Sequence, residues 1–289
     1  MKRRVGRIAV RLGVLAVLVY VGFGAVLALS QTSLIFPRHM TGPGLSDAEV
    51  PAFVERWWVS PAPSDAPGVK VEAWFILGDG RSATSPGPAV VLLHGNGELI
   101  DDNLQTAEMY RRMGISVLMP EYRGYGRSGG TPGQRVITGD LLKFHAMLLA
   151  RSEVDASRLI YHGESLGTGF ASVLAGERPP RVVILNSPFK SVASMAARFL
   201  VPGFLVRSPL RSDEVLAKDI APVLIFHGVY DHVVPIEQGR ALAKVTPRAV
   251  FVELDCGHND LPPSWPAYRE RIAVFLEEYG VTGGVGTPR

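Results

Sequence analysis

Apolar residues along most of the chain fall into blocks that are typical of strands followed by helices. The pattern predicts strands over residues 53–60, 69–77, 89–93, 115–119, 158–161, 182–185, 222–226 and 250–254. It predicts helices over residues 101–113, 139–150, 191–200, 237–244 and 266–279. Strands that alternate with helices form parallel units. We therefore expect an α/β fold with a mostly parallel central sheet and helices on both faces.

Two segments depart from this alternation. A proline-rich turn at residues 61–68 joins the first two strands and predicts an antiparallel hairpin. The interval between the strands at 182–185 and 222–226 is longer than one crossover needs, and it contains residues 190–218. We expect them to form a small helical cap over the functional site.

The N-terminus carries a continuous apolar pattern. Residues 12–29 are an uncharged run of 18 residues, preceded by five basic residues and no acid. As a helix the run is roughly 27 Å long, close to the ~30 Å hydrocarbon core of a bilayer. We expect residues 1–30 to be a cytoplasmic basic stub and a retained transmembrane signal anchor; a cleaved signal peptide and a buried core helix are the alternatives. The basic flank then places the remaining chain on the non-cytoplasmic side, periplasmic or extracellular in a bacterium.

The rest of the 289 residues suffices for one large domain. We assign it to residues 31–280, entered by a short tether at 33–37. The glycine-rich residues 281–289 are expected to be a flexible tail.

Charge and cysteine content limit the binding partners, disulfides and metal sites that the chain can have. The net charge is +3 and five positive charges lie before position 12, so the remainder carries about −2. Nothing in this balance indicates nucleic-acid binding, whereas the basic end suits anionic lipid headgroups. Cys256 is the only cysteine, which excludes an internal disulfide. No His/Cys cluster has metal-ligand spacing, so we expect no metal and no organic cofactor.

The most informative motif is Gly-Glu-Ser-Leu-Gly at residues 163–167, between a predicted strand and a small-residue helix. A serine on such a sharp turn needs glycine neighbours, because larger side chains would collide with the adjacent backbone. The turn exposes the Ser165 hydroxyl and directs helix N-terminal N–H groups to the space above it.

The carboxyl ends of other predicted strands supply the partners that a serine nucleophile needs. Asp231 follows the strand at 222–226, and His258 follows the strand at 250–254. His258 is suited to take the serine proton, and Asp231 to orient and stabilise the imidazole. The order Ser, Asp, His is that of the α/β-hydrolase triad.

An oxyanion formed in acyl transfer needs fixed N–H donors. We expect the N–H of Leu166 to be one donor and the loop after the strand at 89–93 to supply the second. In that loop Asn96 is the first candidate and Gly97 the next.

Other polar residues near these strand ends have more ordinary interpretations. Asp255 is the nearest rival of Asp231, although it lies close in sequence to His258. We interpret His94, His162 and His227 as packing or loop-bracing residues. Cys256 is interpreted as a packing residue, and the glycine turn at 122–128 as a brace for the sheet edge near the site.

Taken together, these motifs resemble the Bem46-type α/β hydrolases, related to the α/β-hydrolase domain-containing proteins 12, 13 and 17 and also filed with serine aminopeptidases. The resemblance covers roughly residues 31–280. It rests on His-Gly-Asn-Gly at 94–97, Glu-Tyr-Arg-Gly-Tyr-Gly-Arg-Ser at 121–128, Gly-Glu-Ser-Leu-Gly-Thr-Gly at 163–169, Ser-Pro-Phe at 187–189, His-Gly-x-x-Asp-x-x-Val-Pro at 227–235 and Gly-His-Asn-Asp at 257–260.

The resemblance implies Ser165 as nucleophile, Asp231 as acid and His258 as base, often behind an N-terminal membrane anchor. Known relatives cleave lipid esters or protein thioesters. Glu121 departs from the family pattern, which has Asp before Tyr-Arg-Gly; the extra methylene concerns loop bracing.

We therefore expect a membrane-anchored serine hydrolase that cleaves carboxylic esters or thioesters through an acyl-enzyme, on small-molecule or lipid-like substrates. A peptidase of the same fold is the alternative, although no acid pair is placed for a substrate terminus. A catalytically silent binding or scaffold protein is a third, disfavoured because no triad member is missing. Apolar residues of the predicted cap motivate the lipid-like substrate: Met195, Phe199, Leu200, Phe204 and Leu205.

Overall fold

The computed structural model describes residues 2–60 and 68–283, apart from the side chains of residues 2–5 and 9. Helix α1 spans Lys2–Ile35. It continues through the predicted tether because no residue before Pro37 interrupts a helix. Phe36, just after it, is buried with its ring centroid 6.3 Å from that of Phe170. The tether is thus helical up to Ile35 and packed on the domain.

The remaining described residues form one eight-stranded sheet with strand order β1-β2-β4-β3-β5-β6-β7-β8. Strand β2 is antiparallel to both neighbours, and all other neighbouring pairs are parallel. The fold expected from the sequence is confirmed, while most of the proline-rich turn (61–67) lies outside the described residues. The strands are β1 Val54–Val59, β2 Val71–Ile76, β3 Gly87–Leu93, β4 Ser116–Pro120, β5 Val154–Glu164, β6 Val182–Asn186, β7 Val223–Gly228 and β8 Ala249–Leu254.

Helices follow the predicted alternation with shifted ends. The helix predicted from residue 139 begins five residues earlier, at Gln134. Gly139 does not start this helix but lies inside it, where no neighbouring atom crowds the position. The helix predicted from residue 101 begins with a 3₁₀ turn over Ile100–Asn103. The remaining helices are α2 Leu104–Arg112, α3 Gln134–Leu149, α4 Leu166–Glu177, α5 Val192–Ala197, α6 Ser212–Leu216, α7 Ile236–Val245 and α8 Trp265–Glu278.

Both faces of the sheet are covered. Along β3, Val91 belongs to a core with Phe144 of α3 and Phe170 of α4. Its neighbour Val90 points to a second core with Phe275 of α8. Successive strand residues face opposite sides, so an uninterrupted apolar run is what a strand between two helical layers requires.

The segment between β6 and β7 contains α5, a 3₁₀ turn at Gly203–Leu205 and α6. Helix α5 is shorter than the predicted helix over 191–200 and ends at Ala197. Leu200 then adopts a left-handed conformation, with φ of 59°. Residues 190–218 remain our prediction for the cap boundaries.

The C-terminal end departs from the expected flexible tail at its first residue. Val281 is buried, and its N–H donates to the Leu276 carbonyl over 2.8 Å. Residues 284–289 lie outside the described residues.

Within the described part of the chain, one helical stretch is long and apolar enough to cross a membrane. It covers Gly6–Ile35, and an 18-residue window within it has a mean hydropathy of 2.5.

Candidate active site

Ser165 occupies the sharp turn between β5 and α4. Its φ of 47° and ψ of −111° are sparsely populated by a residue with a side chain, so this backbone is strained. The turn is held by the Ser165 N–H, which donates to the Asn186 carbonyl over 2.9 Å. Strain at an exposed serine hydroxyl is a feature of nucleophile turns.

The two flanking glycines are required sterically. A Cβ atom on Gly163 would lie 2.4 Å from the Gly167 oxygen, and one on Gly167 would lie 2.0 Å from the Leu93 oxygen. Both contacts are with backbone, which cannot move aside cheaply. The collision predicted from the motif is therefore present at both positions.

Ser165, His258 and Asp231 meet above the carboxyl edge of the sheet. His258 Nε2 lies 3.0 Å from Ser165 Oγ, and His258 Nδ1 lies 2.6 Å from Asp231 Oδ2. Asp231 and His258 follow β7 and β8, whose parallel pairing brings these loops together. Asp255 is exposed and is not the carboxylate that contacts His258.

The surroundings of Asp231 favour its ionised form. Burial disfavours the charge, but hydrogen bonds from His227 and His258 outweigh it and lower the pKa of the carboxyl. Its Oδ1 also accepts the N–H groups of Val233 and Val234, over 2.9 and 2.7 Å. A fixed anion is thus aligned with the imidazole.

Asn96, the residue predicted to supply a second oxyanion donor, lies on the cavity that Ser165 and Leu166 also line. Gly97 does not line this cavity. Leu166 is the first residue of α4, and such residues have N–H groups without an intrahelical acceptor. Asn96 therefore fits the predicted position better than Gly97.

The predicted bracing by the glycine turn is present. Tyr125 Oη donates to the Asn96 carbonyl over 3.0 Å, and Tyr122 Oη donates to the His94 carbonyl over 2.9 Å. Glu121 Oε1 lies 2.8 Å from His94 Nε2. Burial opposes a charge on His94, but this carboxylate outweighs burial and raises the imidazole pKa.

His227 and Cys256 also match the structural roles expected for them. His227 Nε2 lies 2.8 Å from the Val234 oxygen and 3.4 Å from Asp231 Oδ2, so it supports the acid loop. Cys256 is buried beside the site, and burial raises the pKa of its thiol.

A buried network behind the serine could not be seen in the sequence. His162 Nδ1 lies 3.0 Å from Tyr110 Oη, and His162 Nε2 lies 3.2 Å from Tyr268 Oη. Tyr268 Oη in turn accepts a hydrogen bond from Asn186 Nδ2 over 2.7 Å. Because burial lowers the pKa of His162 to about 3, its ring is neutral. The network fixes Asn186, whose carbonyl holds the serine turn.

Two carboxyl groups beside the site, those of Glu98 and Glu164, were also not predicted from the sequence. Glu98 accepts the Gly95 N–H over 2.9 Å and so supports the Asn96 loop. Glu164 precedes the serine. Burial and repulsion from Glu98 raise the pKa of Glu164 to about 8. Glu164 sits within the serine motif itself, but its environment depends on Glu98, which is distant in sequence.

The serine opens onto a cavity of ≈ 450 Å³. Its walls are mostly apolar and come from three regions: the end of α1, the cap, and the strand-end loops. The wall includes Leu27 and Ile35 from α1, and Met195 and Phe199 from the cap. The cap was predicted from the sequence, whereas the contribution of α1 to the cavity was not.

Among the described residues, no group of three or more His, Cys, Asp or Glu side chains is arranged to hold a metal ion.

The strand order, the strained serine and its two partners define the class as α/β hydrolase. A family model described as serine aminopeptidase S33 matches residues 84–211. Two of the most similar relatives support the assignment. An uncharacterized protein of Mycobacterium tuberculosis is 33% identical over 75% of this chain and 78% of its own. The α/β-hydrolase domain-containing protein WAV2 of Arabidopsis thaliana is 28% identical over 90% of this chain and 94% of its own.

Solved structures agree on the fold. Est1E of Butyrivibrio proteoclasticus with bound ferulic acid has a TM-score of 0.65 at 18% identity, covering 78% of this chain and 100% of its own. The propionate-bound esterase Est2 of Thermogutta terrifontis has a TM-score of 0.66 at 17% identity, covering 84% and 100%. The chain belongs to this α/β-hydrolase family, and its resemblance to the Bem46-type members is confirmed.

Proposed function

We propose that the protein is a serine hydrolase that cleaves carboxylic ester or thioester bonds through an acyl-enzyme on Ser165. The observation that carries the proposal is the hydrogen-bonded series Ser165, His258 and Asp231 on three strand-end loops. The relation to solved esterases supports the same reaction class.

The geometry supports a two-step reaction. His258 Nε2 takes the proton of Ser165 Oγ as the oxygen attacks the substrate carbonyl carbon. The ionised Asp231 stabilises the imidazolium that forms. His258 then gives the proton to the leaving alcohol or thiol, which leaves the acyl group on Ser165. Water attacks this acyl-enzyme with His258 again as base, and the acid product and free serine result.

The tetrahedral oxyanion is assigned to the N–H groups of Leu166 and Asn96. Both residues line the cavity at Ser165. A donor of this kind lowers the barrier by roughly 3 kcal/mol. Tyr125 and Glu98 hold the Asn96 loop and are not among the residues that line the cavity, so they are positioning residues.

The shape and chemistry of the cavity support an acyl group with an apolar chain as the substrate. A volume of ≈ 450 Å³ lies within the ~300–1,000 Å³ typical of small-molecule sites. Its apolar walls favour a lipid-like ester or thioester over a polar one. Helix α1 supports attachment to a membrane as a signal anchor, with the catalytic domain on the non-cytoplasmic side.

A peptidase is the alternative, suggested by the family description. A terminal amine needs a nearby carboxylate, and among the described cavity-lining residues none is acidic. This observation favours acyl esters and thioesters.

The test is a substrate panel on the full-length protein in detergent. The panel contains p-nitrophenyl esters, acyl-coenzyme A thioesters and aminoacyl-naphthylamides, with Ser165→Ala as the control. We expect release of alcohol or thiol by the wild type only. Release of naphthylamine alone would replace the esterase assignment by a peptidase. Turnover by neither protein would indicate a binding or scaffold role.

A further inference from the structure

One face of α1 is part of the cavity wall. Leu27, Ala28, Gln31, Leu34 and Ile35 all line it. Their spacing places them on one helical face. A helix that only anchored the protein would not need to face the serine.

The cap is also hydrogen-bonded to this helix. Tyr20 Oη donates to the Leu200 carbonyl over 2.7 Å. Further along, Gln31 Nε2 donates to the Leu205 carbonyl over 3.2 Å, and the Arg207 N–H donates to Gln31 Oε1 over 2.7 Å. Helix and cap are therefore joined at two places along α1, at Tyr20 and at Gln31.

The first of these bonds sets the depth of the cap in a bilayer that α1 spans. A hydrocarbon core of ~30 Å that begins after Arg11 extends along a helix to roughly residue 31. Tyr20 lies near the middle of that span. Leu200, bonded to Tyr20, must then lie at the depth of the acyl chains.

The cap residues beside these two bonds expose apolar side chains, which a bilayer accepts. Phe199, Leu200 and Phe204 are 64%, 74% and 86% exposed. We call these three residues the cap tip. Arg198 and Arg207 are exposed beside it, where long basic side chains can reach headgroups.

The backbone around the cap tip is also largely satisfied internally, as a non-helical segment in hydrocarbon requires. The N–H groups of Leu200 and Val201 donate to the carbonyls of Ala197 and Ala196. Those of Leu205 and Val206 donate to Pro202 and Gly203. The side chains of Tyr20 and Gln31 satisfy the Leu200 and Leu205 carbonyls.

We propose that the cap tip enters the bilayer beside α1, and that the acyl chain of a membrane lipid ester reaches Ser165 through the cavity between α1 and the cap. This inference rests on the proposed hydrolase function and names its substrate source. It also makes α1 a substrate-binding element. Cleavage after Ser30 would remove Leu27 and Ala28 from the wall and Tyr20 from the cap.

The first arm of the test measures depth. A nitroxide is attached at Leu200→Cys in full-length protein, reconstituted in phosphatidylcholine–phosphatidylglycerol vesicles. Labels at Tyr20→Cys and at the exposed Glu214→Cys are the references, and the wild type controls for the buried Cys256. We expect the label at 200 to match that at 20, with high collision rates for oxygen and low rates for a water-soluble nickel chelate. A label at 200 that behaves like that at 214, or that is shielded from both relaxants by a second copy of the chain, would overturn the proposal.

The second arm measures chain-length selectivity. Ala28→Trp fills the α1 side of the cavity, whereas Val26→Trp changes the exposed face about 200° around the helix. We expect Ala28→Trp to lower the ratio of kcat/KM for a dodecanoyl ester over an acetyl ester by roughly tenfold. The ratio should stay at the wild-type value for Val26→Trp. An unchanged ratio for Ala28→Trp in an enzyme that still hydrolyses the acetyl ester would reject the acyl path and leave the hydrolase assignment intact. A wild type that hydrolyses neither ester would reject both.

Discussion

His258 Nδ1 lies 2.6 Å from Asp231 Oδ2, although 27 positions separate the two residues. The adjacent ends of β7 and β8 create this contact, and it leaves Nε2 directed at Ser165.

Asp231→Asn tests this contact. An amide favours the wrong imidazole tautomer and does not stabilise the imidazolium, so we expect kcat to fall by roughly 10³–10⁴-fold with little change in fold. The matched control is Asp255→Asn on the neighbouring loop, which should keep kcat within about twofold. Steady-state kinetics on a p-nitrophenyl ester measures both. Equal losses in the two variants would contradict the assignment of the acid.

Gly167→Ala tests the steric requirement of the serine turn. The new methyl would lie 2.0 Å from the Leu93 oxygen, so the turn or β3 must shift. We expect a loss of about 3 kcal/mol or more in the free energy of unfolding. Gly139→Ala, inside α3 and in open space, should stabilise the protein by about 0.5–1 kcal/mol. Chemical denaturation compares the two. A Gly167→Ala variant as stable as the wild type would contradict the close packing of the turn against the Leu93 oxygen.

Tyr125→Phe tests the bracing of the Asn96 loop. The hydroxyl donates to the Asn96 carbonyl, and its loss should loosen an oxyanion donor. We expect kcat to fall by about tenfold while KM changes little, since the interaction matters in the transition state. Tyr230→Phe, on an exposed ring, should have no such effect. A rise in KM alone would place Tyr125 in substrate binding instead.

Glu164→Gln tests the pH dependence of stability. The pKa of this carboxyl is raised from 4.5 to about 8, so the unfolded chain releases the proton at lower pH than the folded chain. The stability supplied by the neutral carboxyl is complete below about pH 4.5 and is lost as pH rises through about 8. We therefore expect Glu164→Gln to raise Tm, relative to the wild type, more at about pH 9 than at about pH 5.

Glu177→Gln, at the exposed end of α4, is the control for this comparison. It should change Tm equally at both pH values. A pH-independent effect of Glu164→Gln would mean that the Glu164 carboxyl is solvated and ionised in the folded protein.

The sheet could be predicted because its signals in the sequence are local. The apolar run at 89–93 is β3, and the glycines at 163 and 167 mark the serine turn. Asp231 and His258 were found because parallel strand ends share one edge. By contrast, the start of α3 was misplaced, since Gly139 is tolerated within a helix whose other residues pack well.

The missed features are contacts between distant segments. Tyr110, His162 and Tyr268 form one network from three elements, and no local pattern links them. The contribution of α1 to the cavity was hidden for a different reason. An apolar helix near the N-terminus satisfies the requirements of a membrane span, and its sequence does not show that one face also packs against a cap.

The most direct test of the hydrolase assignment is covalent labelling of the full-length protein by a fluorophosphonate, located by peptide mass spectrometry. Such a probe reacts with a serine that a neighbouring base activates. We expect one adduct on Ser165 in the wild type, and none in Ser165→Ala. Wild-type protein that stays unlabelled, or an adduct on a different serine, would contradict this assignment.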